Sequence, residues 1–337
     1  MSKPLVCLLA SKDTSAGLLY GLYDVLVNVG PDFEELLGGV VDDSMLDVRI
    51  VARSHHSFVC LSGIEVQPHA SIDDIERADV VVVCDMYTPV NESPLGKFLP
   101  EIQWIKRMYA RESLLCSICS GSVVLAETGL LNGHEASSHW AYGDMFRKYF
   151  PQVKFAPDKV LNLSSENKRL ITSGAVTAWQ DLAIYLVERY CGLSRAFNTA
   201  KVYLLAPHVD GQKPFSAMTC NTQHSDAIVQ ECQSWIEQNY HCSNPVKEMV
   251  ALSGLNSRTF ARRFRAATGF QPLQYVQGIR IEVAKHMLES GADNIEEVGS
   301  CVGYDDPTSF RRIFKRKAGL APAIYRRKFS SIASRES

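Results

Sequence analysis

The stretch SLLCSICSGSVVLAETGLL, residues 113–131, places a cysteine where chemistry can be done. Cys119 follows an apolar run and precedes Ser120 and Gly121, small residues that open a helix-like pattern. A strand-to-helix turn of this kind presents a nucleophile. Backbone N–H groups at a helix start can stabilise an anion or lower a thiol pKa. The same geometry suits a bound carboxylate or another small polar ligand. Cys116 and Cys119 form a C-x-x-C pair, which reads as redox or zinc. No second Cys/His pair follows at zinc spacing, so neither a metal nor a cofactor is expected. The ten cysteines are scattered, most of them in apolar runs such as those around Cys7, Cys84 and Cys116, as small buried hydrophobes.

A second constellation lies in the last third, where residues repeat at an offset of 50. Phe260 matches Phe310, Arg262 Arg312, Phe264 Phe314, Arg265 Lys315, Gly269 Gly319, Pro272 Pro322 and Tyr275 Tyr325. Upstream, Gly254 matches Gly303 at an offset of 49, so the second copy carries one extra residue at its turn. In the first copy NPVKEMVALSG predicts a short helix after Asn244-Pro245, and Gly254 supplies a tight turn. NSRTFARRFRAATG then predicts a second helix, capped by Asn256 or Ser257 and ended by Gly269. Phe260 and Phe264 face the core, and Arg258, Arg262 and Arg265 fall on another side. The second copy anchors on Phe310 and Phe314 and turns Arg312, Lys315 and Arg316 outward. Helix, glycine turn and basic helix make a helix-turn-helix, and its duplication points to double-stranded DNA.

The elements that position these groups divide the chain. With 337 residues, two domains are expected. Strand-like runs at 5–10, 46–52, 79–84, 114–119 and 169–174 alternate with helical patterns, among them 95–111 and 178–192. Continuous apolar strands in β/α alternation imply a parallel sheet covered on both faces. Residues 206–226 lack a period and carry Pro, Gly, Ser, Thr and Asn, so a linker is expected there, between domains at 1–205 and 227–330. Charge divides too. Residues 228–337 hold 16 Lys and Arg against 11 Asp and Glu, and the rest hold 19 against 26. An acidic front and a basic back suggest different partners. No apolar run is long enough to span a bilayer, and the N-terminus reads as a buried strand rather than a signal peptide. A cytoplasmic protein without a membrane partner is the expectation.

Residues 228–329 resemble the AraC/XylS family, through GLNSRTFARRFRAATGFQPLQYVQGIRIEVAKHML and VGYDDPTSFRRIFKRKAGLAPAIYRRKF. The resemblance implies two recognition helices in successive major grooves. Base-facing positions would be Arg258, Ala261 and Arg262, then Pro307, Thr308, Ser309 and Arg312. The three arginines suit bidentate contacts to guanine and Ala261 an apolar contact. Ser257, Thr259, Arg263 and Lys315 would meet phosphates. Residues 4–205 resemble the ThiJ/PfpI, class I glutamine-amidotransferase-like fold, as found in the sensor domains of GlxA-type regulators. The match runs through SICSGSVVLAETGLLNGHEASSHWAYGDMFRKYFPQV and ITSGAVTAWQDLAIYLVERYCG. It implies a flavodoxin-like three-layer α/β sandwich ahead of an all-α domain with two helix-turn-helix motifs. Cys119 takes its elbow position, and His139, in SSHW, that of the nearby histidine.

The catalytic set of that fold is incomplete here. Enzymes of the superfamily often carry an acid on the helix after the first strand, where this chain has Leu18, with Asp13 in the preceding loop. They often have Gly-Gly where this chain reads CDMYTPV, with Met86 and Tyr87. A non-enzymatic pocket built from Cys119, Ser120, Gly121, His139, Trp140, Asp13 and Tyr87 is therefore expected. The resemblance implies a small-molecule effector, an amino acid or quaternary amine, and a homodimer. Tyr20, Tyr23, Tyr87 and Trp140 are candidates for a cation cage. The alternatives are a cysteine-dependent amidase or glyoxalase-like enzyme with a DNA-binding tail, and a thiol redox sensor.

Overall fold

Runs such as Leu5–Leu9 and Val80–Val83 have no polar side, and a strand of that kind is stable only when both sheet faces are covered. The computed structural model describes residues 3–30, 44–218, 224–291 and 294–333. They form two units, Met1–Gln212 and Lys213–Ser337.

The first unit holds a seven-stranded sheet. In chain order its elements are β1 (Leu5–Leu9), α1 (Ala16–Val27), β2 (Asp47–Ala52), β3 (Ala70–Ser71), β4 (Val80–Val83), α2 (Leu99–Ala110), β5 (Leu114–Ile118), α3 (Gly121–Glu127), α4 (Gly143–Tyr149), β6 (Leu161–Leu163), β7 (Leu170–Ser173), α5 (Trp179–Cys191) and α6 (Leu193–Val202). The spatial order is β6-β7-β5-β4-β1-β2-β3, parallel except for β6, which runs against β7. Alternation along the strands sorts the core into two layers. Val6, Leu8, Val80, Val82, Cys116 and Ile118 pack with residues of α1 and α5. Cys7, Leu9, Val81, Val83 and Leu115 pack with residues of α2, α3 and α4. The result is the expected three-layer sandwich. Two expected boundaries move for local reasons. The helix expected over 95–111 starts at Leu99, where Pro100 fits the first turn and its missing N–H matters least. The strand expected over 114–119 stops at Ile118 because Cys119 turns left-handed.

The stretch 206–226 is held at several points. His208 N–H and Nδ1 meet the Asp181 carboxylate at 3.0 and 2.5 Å. The Gln212 side chain donates to Ser138 O and Lys159 O and accepts from Ala175 N–H. In the second unit, Ser216 O accepts from Lys285 Nζ at 2.6 Å.

The second unit is helical: α7 (Ala227–Asn239), α8 (Pro245–Ser253), α9 (Ser257–Thr268), α10 (Pro272–Ser290), α11 (Ile295–Cys301), α12 (Pro307–Ala318) and α13 (Pro322–Ala333). Phe260 and Phe264 anchor one core and Phe310 and Phe314 another, all fully buried. The long helix α10 contributes to both cores. Its Arg280, largely buried, donates to three carbonyls: Tyr240 and Cys242 between α7 and α8, and Gly303 after α11.

Candidate functional site

Cys119 has φ of 53°, a conformation that non-glycine residues seldom adopt and that marks functional turns. Its N–H donates to Gly174 O at 2.9 Å, and its carbonyl accepts from Ser138 Oγ at 2.6 Å. A Cβ on Gly121 would stand 2.3 Å from the carbonyl oxygens of Val83 and Cys84, so glycine alone lets α3 start this close to β4. Ser120 is buried beside the elbow.

The thiol is not activated. Cys119 is only 7 % exposed. Burial, reinforced by the Asp85 carboxylate, pushes its pKa up to about 12 against the opposing Ser120 N–H. A helix start can lower a thiol pKa, but one amide does not offset desolvation and a neighbouring acid. Asp85 was not among the residues singled out in the sequence. It follows β4, is buried, and accepts from Ser15 N–H at 3.0 Å and Ser15 Oγ at 2.5 Å. Burial raises its pKa, with Ser15 opposing. A carboxylate directly after five apolar residues, Val80–Cys84, is the signal that could have found it. Leu18 lies in the core.

His139 caps the short turn Trp140–Tyr142, its Nδ1 accepting from Ala141 N–H at 3.1 Å. Its ring lies 4.9 Å from that of Trp140, and burial lowers its pKa. With Nδ1 committed as an acceptor, neutral imidazole carries its proton on Nε2 and has no free lone pair for a thiol proton. Among the described residues no hydrogen bond joins His139 to Cys119. Tyr142, also unforeseen, is buried and donates to Thr88 O at 2.9 Å.

Two other candidates lie in the segments after β1 and β4. Asp13 pairs with Lys97 at 3.2 Å and lines a cleft at the ends of β1 and β2. Tyr87 is 46 % exposed, tied by its N–H to Asp13 O. Tyr20 and Tyr23 are partly buried and pack against the core, Tyr23 stacked on His69 at 5.5 Å.

The basic helices present a different chemistry. In the first copy, α8 ends at Gly254 (φ 63°), and Asn256 caps α9 by accepting from Thr259 N–H at 2.9 Å. In the second, Asn294 and Glu297 form a capping box on α11. Asp306 caps α12 by accepting from Thr308 and Ser309 N–H at 3.1 and 2.9 Å. Arg258, Arg262, Arg265, Arg312 and Lys315 are exposed and, among the described residues, make no hydrogen bond or ion pair with another side chain. Ser257, Pro307 and Thr308 are also exposed, and Thr259, Ala261 and Ser309 partly so. Arg263 instead pairs with Asp226 at 2.5 Å, which lowers the Asp226 pKa. Arg311 pairs with Glu296, and Arg316 donates to Gln277.

Comparison with known proteins agrees with this division. The family described as "Helix-turn-helix domain" matches residues 249–328, and the DJ-1/PfpI family matches 25–189. The HTH-type transcriptional regulator CdhR of Pseudomonas aeruginosa is 24 % identical over 268 residues, 78 % of this chain and 76 % of its own. Isonitrile hydratase of Pseudomonas putida is 27 % identical over 233 residues, 69 % of this chain and 90 % of its own. A solved structure from Vibrio parahaemolyticus, 18 % identical, superposes with a TM-score of 0.50 over 61 % of this chain and all of its own. At that identity the likeness concerns the fold alone.

Proposed function

The chain joins a DJ-1/PfpI domain to an AraC-type helix-turn-helix domain, and from that premise we propose a sequence-specific regulator of transcription whose α/β domain senses a small molecule. One observation carries the reading. The same turn-plus-helix unit occurs twice, and each copy holds an exposed arginine, Arg262 or Arg312, on a capped helix. Duplex DNA offers such arginines guanine edges and its phosphates a counter-charge. Ser257, Thr259 and Lys315 serve the phosphates. Arg263 does so only by leaving Asp226. Binding of the full chain to its own upstream DNA, measured across salt concentrations, tests this. Affinity should fall steeply with salt, and sequence discrimination should persist. Equal affinity for an unrelated duplex would overturn the reading.

The effector acts by changing the population of DNA-binding forms, and the working form is a cytoplasmic homodimer. An amino acid or quaternary amine near Cys119 is the effector that resemblance favours.

A second reading, a cysteine enzyme, draws on the likeness to isonitrile hydratase. The geometry opposes it. Burial, with Asp85 nearby, disfavours the Cys119 thiolate, and His139 Nδ1 is occupied. Alkylation by iodoacetamide near pH 8 should spare Cys119 while the exposed Cys301 reacts. Rapid loss of the Cys119 thiol, or a turnover that Cys119→Ala abolishes, would favour the enzyme or the thiol sensor.

A further inference from the structure

A cleft of about 380 Å³ opens where β1 and β2 end, between the loop after β1, the segment after β2 and the first turn of α2. Ligands in open α/β sheets gather outside the carboxyl ends of strands. Cys119 is not among the residues that line this cleft.

Its chemistry centres on Arg53. The guanidinium meets the Glu101 carboxylate through two bonds, Nε to Oε1 at 2.9 Å and the terminal nitrogen to Oε2 at 2.8 Å. The Glu101 side chain is 2 % exposed and that of Arg53 55 %. A buried carboxylate is tolerated only when paired, and here the pairing locks one edge of the arginine. Guanidinium has five N–H donors, of which Glu101 takes two. The remaining three have no hydrogen-bond partner among the described residues, and Arg53 lines the cleft. The other acid on the wall, Asp13, is likewise spoken for by Lys97. The cations Lys12, Arg53 and Lys97 thus outnumber the acids Asp13 and Glu101 by one charge, and the outer N–H donors of Arg53 stand in a wall that also holds Phe58 and Phe98.

We propose that this cleft binds a small carboxylate with an apolar body, its carboxylate on the outer edge of Arg53 and its body against Phe58 and Phe98. A fork held by Glu101 is preorganised for bidentate capture, so little side-chain order remains to be lost on binding. That the cleft binds a carboxylate stands apart from the regulator reading above; that its occupant also governs DNA binding rests on that reading and would seat the effector here instead of beside Cys119.

Benzoate is the probe, with benzamide as its neutral isostere and sulfate as an unrelated anion. Each is titrated calorimetrically into the full chain at millimolar concentration. Benzoate should bind, benzamide and sulfate far less. Arg53→Gln strands the Glu101 charge and can unfold the domain. The deciding variant is therefore Arg53→Gln with Glu101→Gln, which replaces the ion pair by an amide pair; its fold is checked by circular dichroism. It should weaken benzoate at least about tenfold, whereas Cys119→Ala should leave binding within about twofold. Three results would overturn the proposal: no benzoate binding, equal binding of benzamide or sulfate, or binding that Cys119→Ala removes and the double variant keeps. DNA affinity without probe is measured in parallel, so failure of the cleft is separable from failure of the regulator.

Discussion

The two basic units are the same skeleton with different surfaces. In the first, Phe260 and Phe264 lie 5.4 Å apart, and Tyr275 meets Phe264 edge-on at 5.1 Å. In the second, Phe310 and Phe314 lie 5.7 Å apart, and Tyr325 meets Phe314 edge-on at 5.4 Å. Glycines with φ of 81° and 78° close the two basic helices. Outside that frame the copies part. Position 261 is alanine and its counterpart Arg311 is paired with Glu296. Position 263 is an arginine held by Asp226, and its counterpart Ile313 is buried. Repetition preserves what must pack, because interdigitated rings tolerate little change of shape. Solvent-facing positions carry no such constraint and can differ. The two units are therefore expected to read different bases.

The sharpest way to break the comparison is through the shared frame. Phe264→Ala and Phe314→Ala should each cost about 3–5 kcal/mol in chemical denaturation. A marked inequality would show that the units are not packed alike. Next come the reading faces. Arg262→Ala and Arg312→Ala should each cost about 1–3 kcal/mol of operator affinity and relax preference at different base positions. Relaxation at the same position would contradict independent reading. The caps come third. Asn256→Ala should lower stability by about 1 kcal/mol, and Asp306→Ala by more, since Asp306 accepts from two amides. The Ser309 hydroxyl and amide, then the Thr308 amide, hold the Asp306 carboxyl below its usual range. Its contribution is in place above about pH 4 and is lost as pH falls through the folded value, so native and Asp306→Asn chains should converge in acid. The smallest effect is expected from Arg263→Ala: operator affinity should change less than about threefold, because that side chain is committed to Asp226 on an exposed surface.

The sequence was most legible where one pattern controls structure. Uninterrupted apolar runs marked β1, β4 and β5 because only doubly covered strands need them. Paired phenylalanines and glycines marked the two helix-turn-helix units because both constraints are local. The Cys119 turn was legible as a conformation, yet its electrostatics were not. Asp85 lies far from Cys119 in sequence and acts through space. Arg53 and Glu101 are 48 residues apart, and neither breaks its local pattern. Their pairing exists only once β2 and α2 are assembled. The short antiparallel β6 carries too few residues to show a period.

The helix α10 packs into both cores, and its Arg280 ties the segment leading into the first helix-turn-helix unit to the turn of the second, which has a metrical consequence. A connecting rod fastened at both ends keeps a constant stride. On duplex DNA, one inserted base pair swings the far half-site about 35° around the axis and moves it about 3.4 Å along it. Such a phase error forfeits one whole set of base contacts, where a single base change forfeits one. An operator for this protein should tolerate misspelling better than it tolerates a change of length.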